Sequence, residues 1–132
     1  DDSSGRRIQR WRLKGDMDNL YKASHVNHPS AIWVRENAVH YQFVYDLFAA
    51  LCKEYTYRYA RAHLTETKLI SLLDQLPNNI DLCAWREPPQ CMPDDVKSKS
   101  VITAYHKYYQ EYKKDFAVWT ARPTPEFMYA SI

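Results

Sequence analysis

The chain has 132 residues, 45% of them hydrophobic and 14% aromatic, which suits one domain with a real core and excludes a largely disordered protein. The net charge of +2, from 18 basic against 16 acidic side chains, excludes a uniformly basic nucleic-acid binder, so any anion site has to come from local clustering. Only two glycines occur, which excludes a Walker loop, a dinucleotide-binding turn and a nucleophile elbow, because each needs several.

The first predicted element is a basic arm, residues 1–19. Four arginines lie close together in it: Arg6, Arg7, Arg10 and Arg12. Three apolar side chains are interspersed with them: Ile8, Trp11 and Leu13. This alternation favours an extended segment over a helix. Because guanidinium groups bind backbone phosphates, we expect the four arginines to contact DNA.

Residues 20–132 are predicted as one helical domain. His28 followed by Pro29 is typical of a helix start, because proline suits the first helical position. A short helix is therefore expected over residues 30–36. Two of its residues are expected to point inward: Ile32 and Trp33.

The longest predicted helix covers residues 38–63, with Asn37 as its N-cap. Helical spacing brings its apolar and aromatic positions into one stripe, which we expect to be buried. The stripe consists of Tyr41, Val44, Leu47, Phe48, Leu51, Tyr55, Tyr59 and Ala62.

Two further helices are predicted, one capped by Thr65 and ended by Pro77, and one from Ser100 to about Phe116. Residues 77–99 between them hold four prolines and are expected to form a Pro-rich loop. The last helix carries a tyrosine stripe, of which we expect Tyr105 and Tyr112 in the core. The fold class is therefore all-α: a single irregular helical bundle of four to five helices with a basic N-terminal arm and a Pro-rich loop.

The end of the long helix combines aromatic and basic side chains. Lys53, Tyr57 and Arg61 are spaced four residues apart, so they form one row on a helix surface. With His63, they are the ingredients of a surface that binds phosphates and unstacked bases. The spacing of Glu54 and Arg58 has two interpretations. They form a simple ion pair, worth a few tenths of a kcal/mol when exposed, or a polar site shared with His63 or His28.

If the chain is an enzyme, glycosylase-like or nucleotide-modifying chemistry fits these residues best. Glu54 or His28 would then be the acid/base, and Arg58 would orient the anion. Metal binding is disfavoured, because Pro29 restricts His28 in the only closely spaced histidine pair. We expect no metal and no cofactor.

The Pro-rich loop also has two readings. It is a passive connector, or its prolines hold three side chains over the end of the long helix, near residues 57–63. Those side chains are Gln90, Met92 and Asp94.

An odd number of cysteines favours a reducing cytoplasm, and no apolar run reaches the roughly 18 residues of a membrane span. We therefore expect no membrane association.

Five segments in order resemble a family of small helical proteins encoded by tailed phages: His28–Glu36, Leu51–Tyr59 followed by His63, Pro89–Asp94, Ala104–Tyr109 and Trp119–Pro123. The resemblance covers about residues 20–123. It implies an all-α fold and the cytoplasm of a phage-infected bacterial host, and it implies no particular reaction. Members also carry an upstream segment with Asp-Lys-His and a further Lys, which residues 1–27 do not match.

The leading function is binding or processing of phage DNA through the basic arm and a second surface: Tyr57, Arg58, Arg61 and His63. The alternative is a protein-protein interaction module that binds a host or phage protein, or a component of the phage particle. Tyr, Trp and Arg dominate protein interfaces too. The exposed aromatic residues for that role would be Trp11, Tyr57 and Trp85.

Overall fold

The computed structural model describes residues 20–129, and every regular element in that range is helical, without any strand. The prediction of an all-α fold is confirmed for this part of the chain. The four helices are α1 (Pro29–Glu36), α2 (Ala38–Tyr59), α3 (Leu64–Leu69) and α4 (Val101–Tyr108). The predicted basic arm, with Arg6, Arg7, Arg10 and Arg12, lies outside the described residues.

Side-chain caps explain where the first helices begin. The Nδ1 atom of His28 accepts a hydrogen bond from the Ser30 backbone N–H at 3.1 Å, with Pro29 in the first turn. The side chain of Asn37 accepts from the His40 N–H at 3.1 Å and caps α2, as predicted. The third predicted cap, Thr65, is wrong, because the His63 ring accepts from the Thr65 N–H and α3 starts at Leu64.

The predicted end of the long helix at residue 63 is wrong, because α2 stops at Tyr59. Ala60 adopts the left-handed conformation (φ 56°), and its N–H bonds to the Thr56 carbonyl. Alanine gives no sequence signal for this conformation, which usually calls for glycine. Arg61 and His63 therefore lie beyond α2 and not on its surface row.

The last predicted helix is also interrupted. After α4 the chain continues as a π-helical turn over Tyr109–Lys113. Tyr112, expected in the core, is 43% exposed, and its hydroxyl donates to the Asp95 carboxylate at 2.7 Å. Tyr105 is partly buried, with its hydroxyl donating to the Pro89 carbonyl at 3.2 Å. Part of this stripe therefore serves hydrogen bonding to the Pro-rich loop more than apolar packing.

The predicted buried stripe of α2 is only partly buried. Leu47, Leu51 and Tyr59 are 49%, 59% and 50% exposed. Around Tyr41, which belongs to the stripe, and Tyr45, polar contacts hold α2: the Tyr41 hydroxyl donates to the Leu73 carbonyl and the Tyr45 hydroxyl to the Ile70 carbonyl, both at 2.8 Å. Two polar ties thus attach the chain after α3 to α2.

The centre of the fold is an aromatic cluster around Trp33, which is buried as predicted; its neighbour Ile32 is 40% exposed and is not inward. The fully buried His40 ring stacks on Trp33, with 3.9 Å between ring centroids. Phe43 and Trp85 meet these rings edge-on. We call Trp33, His40, Phe43 and Trp85 the Trp33 cluster.

Both ring nitrogens of His40 are hydrogen-bonded to backbone groups. The Nδ1 atom lies 2.8 Å from the Trp33 carbonyl, which can only accept, so Nδ1 carries the proton. The Nε2 atom lies 2.9 Å from the Arg86 backbone N–H, which can only donate, so Nε2 accepts. The Trp33 indole N–H completes the arrangement by donating to the Arg86 carbonyl at 2.9 Å. A neutral imidazole therefore connects α1, α2 and the segment that carries Trp85.

We predict that His40→Phe destabilises the protein although it keeps the stacked ring. The substitution leaves the Trp33 carbonyl and the Arg86 N–H without their His40 partners, and loss of the partner costs about 1–3 kcal/mol where the group is buried, as at Trp33. Urea unfolding followed by circular dichroism measures the change. His106→Phe is the matched control, because His106 also stacks on a ring, that of Phe127, at 4.0 Å. We expect a cost below about 1 kcal/mol for the control, and equal costs for both variants would contradict the role of His40.

Candidate functional site

Three side-chain donors converge on one carboxylate near the end of α2. The Nε atom of Arg58 donates to Glu54 at 2.7 Å. Arg122, 68 residues further along the chain, donates through Nε at 3.0 Å and through Nη2 at 2.9 Å, one bond to each carboxylate oxygen. Such a two-bond pair fixes both the distance and the plane of the guanidinium group.

The same guanidinium group covers an aromatic ring. The Arg122 guanidinium carbon lies 3.9 Å from the centroid of the Tyr57 ring, which is 57% exposed. The residue before it, Ala121, has φ 59°, so the backbone turns sharply just before it presents Arg122 to α2. We call Glu54, Tyr57, Arg58 and Arg122 the Glu54 cluster.

Hydrogen bonds set the electrostatics of this cluster. Those from Arg122, and then from Arg58, lower the pKa of Glu54 below its ordinary value, and the bond to Glu54 raises the pKa of Arg122. A general acid needs a raised carboxyl pKa, so the environment of Glu54 suits a permanent anion. The carboxylate offsets one of the two guanidinium charges and leaves the cluster with one net positive charge.

The other residues of the predicted site are distributed around the end of α2 and the start of α1. Lys53 and Arg61 are exposed, and the His63 ring meets Tyr55 edge-on at 4.7 Å while it caps α3. His28 caps α1 through its ring. The described structure thus joins Glu54 to Arg58, and it adds Arg122 where the sequence suggested His63 or His28.

Two of the three candidate residues of the Pro-rich loop, Gln90 and Asp94, form polar contacts within the loop itself. The amide of Gln90 donates to the Ser98 carbonyl at 2.6 Å and accepts from the Ser98 N–H at 3.0 Å. Asp94 forms an ion pair with Lys97 at 2.9 Å. Met92 is partly buried. These contacts close the loop on itself.

Cys91, in the same part of the loop, contacts α1 and α4. Cys91 lies 3.5 Å from the Ser30 hydroxyl at the start of α1, and its backbone N–H donates to the hydroxyl of Tyr105 on α4. The cavity beside His63 is lined by α2 and by the residues that follow it. The described contacts of residues 90–94 thus lie within the loop and with α1 and α4, and the placement of Gln90, Met92 and Asp94 over residues 57–63 stays a prediction.

Arg122 is the functional candidate that the sequence reading missed. It stands in a Thr-Ala-Arg-Pro run, where the proline that follows it indicates only the end of a helix. Nothing local reveals its partner on α2. The role of Arg122 beside the half-buried pair of Glu54 and Arg58 is evident only from the folded structure, in which the long-range contact has formed.

Two further properties concern ligands and membranes. Within residues 20–129, no three His, Cys, Asp or Glu side chains gather closely enough to hold a metal ion. No helix in that range combines the length and the apolar character needed to cross a bilayer.

Comparison of the chain with protein-family models, with characterised proteins and with solved structures finds no match.

We predict that the coupling between Glu54 and Arg122 depends on pH. Because the folded-state pKa of Glu54 lies below its ordinary value, its stabilising effect is full above the ordinary carboxyl pKa and is lost as the pH falls through the lowered one. A double-mutant cycle of Glu54→Gln and Arg122→Met, followed by thermal unfolding from pH 7 down to pH 3, measures this. We expect positive coupling at pH 7 that declines at acidic pH, and coupling that does not change over the series would contradict the ion pair.

Proposed function

We propose that this chain is a phage-encoded helical protein that binds DNA in the cytoplasm of the bacterial host. One observation carries the proposal: an exposed tyrosine ring, Tyr57, lies under the Arg122 guanidinium group next to further cationic side chains. Aromatic rings and guanidinium planes are the groups on which proteins stack unpaired bases. Three unpaired cysteines, Cys52, Cys83 and Cys91, are in keeping with a reducing compartment.

The local charge supports contact with a nucleic-acid backbone. The Glu54 cluster has one net positive charge, and the exposed Lys53 and Arg61 lie one turn before Tyr57 and just beyond the end of α2. The Glu54 carboxylate fixes the two arginines in place, so little side-chain entropy is lost when a base or phosphate binds. In this proposal Glu54 is a positioning residue, and Tyr57, Arg61 and Arg122 contact the DNA.

The basic arm has its own test. Replacement of Arg6, Arg7, Arg10 and Arg12 by Ala is expected to weaken DNA binding and to flatten the plot of log affinity against log salt. The negative slope should become shallower by about one unit for each phosphate contact that is lost. Fluorescence anisotropy with single-stranded and duplex oligonucleotides over a series of salt concentrations gives the slope. An unchanged slope would remove the arm from the DNA contact.

The aromatic surface is tested by Tyr57→Ala. Loss of one stacking ring should reduce the affinity for single-stranded DNA by about 1–3 kcal/mol, or roughly 5–150-fold. Tyr129→Ala is the matched control, since Tyr129 is 75% exposed and lies in the last described turn, Glu126–Tyr129. Equal affinities for the wild type and the Tyr57 variant, with an unchanged fold, would contradict the proposal.

A second candidate function is supported by a different surface. Phe43, Leu47 and Leu51 follow one another at four-residue spacing on α2 and are 46%, 49% and 59% exposed. An exposed apolar row of this kind is typical of a protein-protein interface. The partner would be a host or phage protein or a component of the phage particle.

Replacement of an apolar residue by a charged one discriminates between the two functions. Leu51→Lys should abolish recovery of a specific partner from infected cells, whereas Leu64→Lys, at a position that is 72% exposed at the start of α3, should not. The added positive charge should leave DNA affinity equal or higher. Equal recovery with both variants would reject the apolar row as the interface.

A further inference from the structure

An apolar groove runs between α2 and α3. Its first part is a cavity of about 320 Å³ with walls that include Val44, Leu69 and Leu73, and its second part is a cavity of about 290 Å³ that includes Tyr55 and His63. Phe48 and Thr65 line both parts, so the two cavities adjoin along α2. We call them together the α2–α3 groove.

A carboxylate close to this groove has an unsatisfied oxygen. The Oε2 atom of Glu66, on α3, is buried and has no hydrogen-bond partner among the described residues. Glu66 is close enough to the groove residue Cys52 to raise the pKa of that thiol, after the larger effect of burial. A buried carboxylate oxygen without a donor is costly, so a cationic or hydrogen-bonding group is expected to approach it.

The described chain starts at the edge of the same groove. The hydroxyl of Tyr21 lies 3.2 Å from the hydroxyl of Thr65, and the Lys68 ammonium lies 3.9 Å from the centroid of the Tyr21 ring. Nineteen residues precede Leu20. The seven residue steps from Leu13 to Leu20 can span up to about 23 Å, about the length of the α2 stretch that lines the groove.

The sequence of the arm offers matching chemistry. In an extended segment alternate residues face opposite sides. If the arm is extended, as its sequence predicts, Trp11, Leu13 and Arg7 share one side, and three other arginines share the opposite side: Arg6, Arg10 and Arg12. One side would thus carry two apolar groups, which can pack on the apolar walls of the groove, and one cation, which can bind the Glu66 carboxylate.

We propose that residues 5–14 of this chain dock in the α2–α3 groove of the same molecule, with Trp11 and Leu13 on its apolar walls and Arg7 at Glu66. The docked segment buries apolar surface that α2 and α3 leave open, and it supplies the missing donor. Its opposite side then presents Arg6, Arg10 and Arg12 to solvent, so that in the docked state these three arginines, and not Arg7, remain available to phosphates. This inference adds an intramolecular interface and does not depend on DNA binding.

The apolar part is tested with the full chain in the absence of DNA. Methyl NMR spectra compare the wild type with the double variant Trp11→Ala/Leu13→Ala and with Ile8→Ala, a control on the other side of the arm. The double variant should shift the methyl signals of Val44, Leu69 and Leu73 and lower the melting temperature by roughly 2–6 °C. The control should do neither, and groove signals that are unchanged in the double variant would overturn the proposal.

The ionic part uses neighbouring arginines as a matched pair. Arg7→Ala should lower the melting temperature, and Arg6→Ala should not, because only Arg7 shares the groove side. In the Glu66→Gln background the effect of Arg7→Ala should become smaller, since the two groups are partners. Equal effects of the two arginine substitutions would overturn the assignment of Arg7.

Another occupant of the groove is detected by dilution. If the arm docks within its own molecule, the methyl shifts are independent of protein concentration. Shifts that disappear on dilution would assign the groove to the arm of a second copy and overturn the intramolecular proposal. Because no DNA is present, each outcome is separate from the salt-slope result.

Discussion

The hydrogen bonds of the buried His40 ring hold the irregular part of this chain on its longest helix. The ring donates to the Trp33 carbonyl and accepts from the Arg86 N–H, and it stacks on the Trp33 indole. The buried apolar residues of the described chain are few: Trp33, Ala38, Cys52, Val96 and Ala104. With so small a core, directional hydrogen bonds have to supply the specificity that close packing supplies elsewhere, and they do so only if every partner is present.

The opposite end of α2 repeats the arrangement with charges. Glu54 binds the adjacent Arg58 and the distant Arg122, and it thereby brings the segment after α4 against Tyr57. The two ends of α2 differ in the solvent exposure of these side chains. His40 is fully buried, whereas Glu54 and Arg122 are partly exposed, so the charged end remains available to a ligand. We therefore place the proposed DNA contact at the Glu54 cluster and the main structural contact at the Trp33 cluster.

Local signals in the sequence predicted the helix starts better than the helix ends. The His28-Pro29 pair and Asn37 mark the starts of α1 and α2, because side-chain caps are encoded within three residues. The end of α2 depends on Ala60 in a left-handed conformation, which no residue preference indicates. No sequence signal predicts the π-helical turn after α4 either, because the tyrosine spacing there suits an ordinary α-helix.

Only those residues of the candidate site that are close in sequence could be predicted to lie together. Glu54, Tyr57 and Arg58 lie within five positions, so helical spacing alone places them together. Arg122 reaches them from 68 residues away, and His40 meets Arg86 across 46. Such pairings depend on tertiary packing, and a single sequence contains no local pattern that specifies them.

The central claim is that polar contacts fix the irregular segments to α2, and amide hydrogen exchange tests it most directly. In NMR-detected exchange, the Arg86 amide, bonded to His40, and the Ala38 amide, bonded to the Asp81 carbonyl at 2.7 Å, should be protected to a similar degree as the central amides of α2. Exchange of both amides at the rate of an unstructured peptide, while α2 remains protected, would contradict the account.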